Sequence, residues 1–114
     1  MKKTADHYLY TEQDFSNIVD YKMGDIIEAE VGVFLRVIEK EDNTILTEQV
    51  CIIPEPSQYR SRDDWEKDTD NSLLDLILEA KNEDEKEMYI HLMKHIKEIY
   101  PYDKFKKTLE KVRQ

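Results

Sequence analysis

Between Ile27 and Val37 every second residue is apolar: Ile27, Ala29, Val31, Val33, Leu35 and Val37. A period of two places all six on one face of a pleated strand, so the run predicts a long strand with a core face. The other face reads Glu28, Glu30, Gly32, Phe34, Arg36 and Ile38, wet at its first end and drier at its second, with Gly32 placed for a bulge or a close approach. Glu39 to Thr44 is polar and contains Asp42-Asn43, both tolerant of turn geometry, before a β-rich run resumes from Ile45 to Ile53. Pro54 and Pro56 lack backbone donors and stop the second strand. The pattern therefore predicts an antiparallel hairpin, about 26–39 against 45–53. A lone hairpin is marginal in water, so a third strand is required, from residues 7–10 or from a second chain. Tyr8, Leu9 and Tyr10 read equally as an edge strand or an aromatic lead-in.

Helical spacing governs the flanks. Thr11 with Asp14 approximates a capping box, Phe15, Ile18, Val19 and Lys22 share one helical face, and Gly24 suits a C-terminal stop, which predicts an N-terminal helix over 12–22. Residues 54–71 hold no sustained period and read as a long loop, in which Ser61 and Asp64 are able to cap one short turn around Trp65. Ser72 and Asp75 form a second capping box ahead of Leu73, Leu74, Ile77 and Leu78, predicting a helix over 72–81. Asn82 with Glu85 marks a new start, and Met88, Leu92, Ile96 and Ile99 carry a helix over 83–100 until Pro101. Asp103 caps a last segment, 103–112, with Phe105, Leu109 and Val112 on one face, giving two or three C-terminal helices according to whether neighbours merge. Strands and helices are segregated, so the class is α+β, and 114 residues suit a single domain, 1–114.

Composition changes this picture in three ways. Charged residues are 38% and apolar residues 39%, enough to build a core while leaving most helices one wet face. The single Cys51 excludes an intramolecular disulfide and a four-thiolate zinc site and suits the cytosol; no apolar run approaches the roughly twenty residues of a membrane span. The expected location is cytoplasmic. The net charge of −9 is unevenly spread: residues 1 to 71 hold 17 acids and 8 bases, residues 72 to 114 nine of each. The surplus is therefore expected on a strand-and-loop half, beside a near-neutral helical half that supplies most of the apolar packing.

Candidate chemistry is sparse. Glu87, His91 and His95 are four apart and line one helix stripe, the best metal candidate, although Leu92 replaces the glutamate of the metalloprotease motif. Two glycines build no phosphate loop, and no nucleophile elbow is present. No catalytic residue, cofactor or resident metal is expected. Acidity points instead to an interface. Glu28 and Glu30, alternate on a strand, stand about 6 to 7 Å apart, comparable to successive backbone phosphates. With Asp25, Asp63, Asp64 and Glu66 they supply charge, and Tyr59 and Trp65 supply anchors.

The expected function is thus a non-enzymatic protein-binding module, an acidic inhibitor, immunity or anti-defence protein. It would occupy the basic, nucleic-acid-binding surface of a partner protein, as a nucleic-acid mimic, without binding nucleic acid or membrane directly. The Lys, Glu and Ile bias points to bacterial or phage origin. The alternatives are a small metal-dependent hydrolase or nuclease using Glu87, His91 and His95, and a structural homo-oligomer subunit.

Overall fold

The computed structural model of the chain describes residues 2–4, 7–99 and 108–112. They build an antiparallel sheet and two α-helices, an α+β architecture, in two compact units. One unit holds the described residues up to Ile52 together with Thr108 to Lys111; the other holds Ile53 to Ile99 and Val112.

The sheet unit contains β1 (Lys2–Thr4), β2 (His7–Thr11), β3 (Ile26–Glu30), β4 (Val33–Glu41), β5 (Thr44–Ile52) and β6 (Glu110–Lys111), in the spatial order β1-β2-β5-β4-β3-β6. All pairings are antiparallel. The long strand expected over 26–39 is two strands: the chain reverses at Val31-Gly32, with Gly32 at φ 82, a conformation that favours glycine. The alternation survives the reversal for a geometric reason. Ile27 pairs with Leu35, paired residues share a face, and a register shift between Glu28 and Glu30 absorbs the odd residue. Odd-numbered side chains consequently point into the core on both strands. The expected hairpin is thereby replaced by a meander, in which β4 and β5 meet across Asp42-Asn43 and β2 flanks β5.

No α-helix forms over 12–22. The Thr11–Asp14 pair closes only one turn, with Asp14 Oδ2 accepting from the Thr11 N–H at 2.9 Å and Thr11 Oγ1 accepting from the Gln13 N–H at 3.2 Å. Phe15 is already extended, its ring 5.5 Å from that of Tyr10, and a 3-10 turn at Ser16–Asp20 then buries Ile18 while Val19 stays 54% exposed. A helix this short is marginal alone, so the contacts of Phe15 and Ile18 decide the local backbone. The core gathers Ile18, Ile27, Leu35, Val37 and Ile45 with Tyr10, Tyr21, Ala29 and Leu109.

The helical unit contains α1 (Arg62–Leu78) and α2 (Glu83–Ile99). Much of the segment expected as loop 54–71 is therefore helix, and α1 runs through the Ser72 start expected for 72–81. Ser61 is its N-cap, accepting the Asp64 N–H at 3.2 Å. Asn82 caps α2 by accepting the Glu85 N–H at 2.8 Å. Trp65, Thr69 and Leu73 form the buried line of α1; His95, Leu92 and Ile96 are buried on α2. Of the helix expected over 103–112, residues 103–107 lie outside the described residues. Thr108 to Val112 is not helical: Leu109 and Val112 are buried, but Glu110 and Lys111 pair with β3.

Candidate functional site

The eight residues expected at an interface divide between the units. Asp25, Glu28 and Glu30 belong to the sheet unit; Tyr59, Asp63, Asp64, Trp65 and Glu66 belong to the helical unit.

On the sheet, Asp25 precedes β3 and is engaged: its carboxylate accepts from the Lys22 N–H at 2.9 Å and pairs with Lys111 Nζ at 3.2 Å. Glu28 is 0% exposed, its Oε2 accepting the Gly32 N–H at 3.0 Å across the turn. That bond ties down the reversal and removes Glu28 from the surface. Glu30 is exposed. The two carboxylates expected to imitate successive phosphates therefore do not face solvent together.

On the helical unit, Trp65 is 0% exposed and its Nε1–H donates to the Pro54 carbonyl at 2.7 Å. It fixes the approach to α1 rather than offering an anchor. Arg62 lies 5.8 Å from the Trp65 ring centre and pairs with Glu66 at 3.0 Å. Tyr59 is half-buried, its phenol held above the ordinary range by desolvation first and by its hydrogen bond to the Asp68 carboxylate second. Asp63 and Asp64 are exposed in the first turn of α1, where carboxylates complement the helix dipole.

One arrangement emerges only once α1 is known to start at Arg62. Asp64, Asp68 and Asp75 are spaced four and seven apart, all exposed. At 100° per residue they fall within one narrow stripe, and at 1.5 Å rise they stand about 6 and 10 Å apart along the axis. The buried line of Trp65, Thr69 and Leu73 lies on a different side. Asp68 and Asp75 were legible as partners of Asp64 only through helical spacing, which a loop reading of 54–71 hides.

The metal candidates are not brought together. Glu87 is exposed, His91 half-buried and His95 buried, because each step of four residues rotates about 40° around α2 and carries the stripe from solvent to the packed side. Among the described residues no three His, Cys, Asp or Glu side chains gather as a metal-holding group. Cys51 is half-buried, and burial pushes its thiol up to about 12, far from the thiolate that reactive cysteines use. Among the described residues no helix is long and apolar enough to cross a membrane.

No known protein-family model matches this chain, and neither the curated proteins nor the solved structures compared with it include a match.

Proposed function

We propose that the protein is a non-enzymatic binding module whose helical unit offers an acidic helix face to the basic surface of a partner protein. The observation that supports this reading is the exposed Asp64–Asp68–Asp75 stripe on α1. Carboxylates aligned along one side of a helix are preorganised, so a lysine- or arginine-rich groove meets them without first ordering a loop. A partner that ordinarily holds nucleic acid has such a groove, and an inhibitor or immunity role of the nucleic-acid-mimic type is the finer form of the proposal.

The test is retention of partners from a lysate on the immobilised protein at low and high salt, with a variant carrying Asp64→Lys, Asp68→Lys and Asp75→Lys. The expected result is a basic protein captured by the parent chain, released by salt and missed by the variant, because exposed charges are screened beyond the Debye length, which shrinks from about 10 Å at 0.1 M to about 3 Å at 1 M salt. Capture that is indifferent to both salt and the triple substitution would overturn the reading.

A further inference from the structure

Strand β3 is paired along one side by β4, while β6 pairs with only Ile27 and Glu28 on the other side, two of the five β3 residues. Beside this short ladder the sheet unit carries a set of groups directed at one extended segment. Leu109 is buried as a member of the core cluster that also holds Ile18, Tyr21 and Ile27. Its carbonyl accepts two side-chain bonds, from Asn17 Nδ2 at 3.0 Å and from the Tyr21 hydroxyl. Two positions on, Lys111 meets Asp25 at 3.2 Å. An apolar socket, a double donor for one main-chain carbonyl and a carboxylate for a base two residues later together specify an apolar-x-basic strand. One group is left over: Asn17 Oδ1 is buried and among the described residues accepts no hydrogen bond, an unfavourable state for a buried acceptor.

From these contacts we infer that the outer side of β3 is a strand-accepting site, in which residues 109–111 are a resident occupant that leaves Asn17 Oδ1 unsatisfied. The partner it fits is an extended protein segment with a leucine-sized residue, any residue, then lysine or arginine, and with an N–H or hydroxyl placed to reach Asn17 Oδ1. Main-chain pairing with β3 supplies affinity, and the Leu109 socket and Asp25 supply selectivity. The resident strand competes from within the same chain, at the millimolar effective concentrations typical of tethered segments, so an incoming strand gains when the resident one is weakened.

The test uses the full chain and a fluorescent synthetic peptide with the sequence of residues 108–112, read by anisotropy. Leu109→Ser weakens the resident strand without touching the site and should tighten peptide binding about tenfold relative to the parent chain. In that variant a peptide with glutamate in place of its lysine should bind several-fold more weakly than the parent peptide, because it meets Asp25, and a peptide with aspartate in the leucine position should not bind. Should Leu109→Ser lose its sheet signal in circular dichroism, Lys111→Glu, at an exposed position, replaces it with an expected gain of about threefold. A folded variant that binds the peptide no better than the parent chain would overturn the assignment.

Discussion

The two units bury apolar side chains in different ways, and the difference determines where charge can go. In the sheet unit, residues from four strands, β2 to β5, converge with Ile18 of the 3-10 turn, Tyr21 and Leu109 on one cluster, and Ile26, Glu28 and Phe34, on the opposite side of β3 and β4, are buried too. In the helical unit the buried part of α1 is one residue per turn, Trp65, Thr69 and Leu73. Most of the α1 circumference is therefore wet, and it carries aspartates. The charge surplus of residues 1 to 71 does not stay with the strands: its last third lies on α1, while the principal core cluster lies in the sheet unit. The expected division into an acidic strand half and an apolar helical half is reversed in its second part, because a thin buried line holds a helix in place without excluding charge from the rest of it.

The strongest way to break this comparison is to remove the residue on which the thin line depends. Trp65→Ala deletes the largest fully buried side chain and the bond to Pro54, and should cost about 3–5 kcal/mol, seen as early loss of the helical circular dichroism band on urea titration. Leu35→Ala in the sheet cluster should cost about 2–5 kcal/mol, with the sheet amides losing hydrogen-exchange protection first. A Trp65→Ala effect no larger than that of an exposed substitution would show that α1 does not depend on its single buried line.

Alkaline pH sharpens the contrast from the sheet side. The Tyr10 phenol is pushed from 10.0 to about 12, by burial first and then by Glu30, Tyr8 and Asp14. Below pH 10 it is neutral in both states; between 10 and 12 only the unfolded tyrosine ionises, so stability should fall across that window. Tyr10→Phe should flatten this part of the melting-temperature profile. The smallest effect concerns the weak point of the helical line. Thr69 is buried and its hydroxyl has no hydrogen-bond partner among the described residues, so Thr69→Val should be neutral or stabilising by up to about 1 kcal/mol in thermal melts. Marked destabilisation would mean that the hydroxyl is engaged.

Legibility in the sequence followed local chemistry. The core face from Ile27 to Val37, the Asp42-Asn43 turn and the Asn82 cap are local, and each has its counterpart in the fold. The Ser61 cap was equally visible, yet the helix behind it was not: with Thr69 standing between Trp65 and Leu73, the buried line is too sparse to register as a period. The same limit applies to the candidate surfaces. Asp63 and Asp64 stand out as an acidic pair in any reading, but Asp68 and Asp75 join Asp64 only when α1 is continuous.

By itself the sequence determined the α+β class, the parity of the core-facing strand residues and the helix caps at Ser61 and Asn82, since each depends on neighbours within a few residues. Only the tertiary structure decided that Val31-Gly32 reverses the chain, that Phe15 and Ile18 abandon a helix for the core, and that Leu109 to Lys111 returns to the flank of β3. Those outcomes depend on partners distant in sequence: Leu35 for Ile27, Tyr10 for Phe15, and Asn17, Tyr21 and Asp25 for the returning strand. Local propensities differ by about a kilocalorie per residue at most among ordinary residues, whereas burying one large side chain contributes roughly 1.5–3 kcal/mol, so where the two conflict the distant contact prevails.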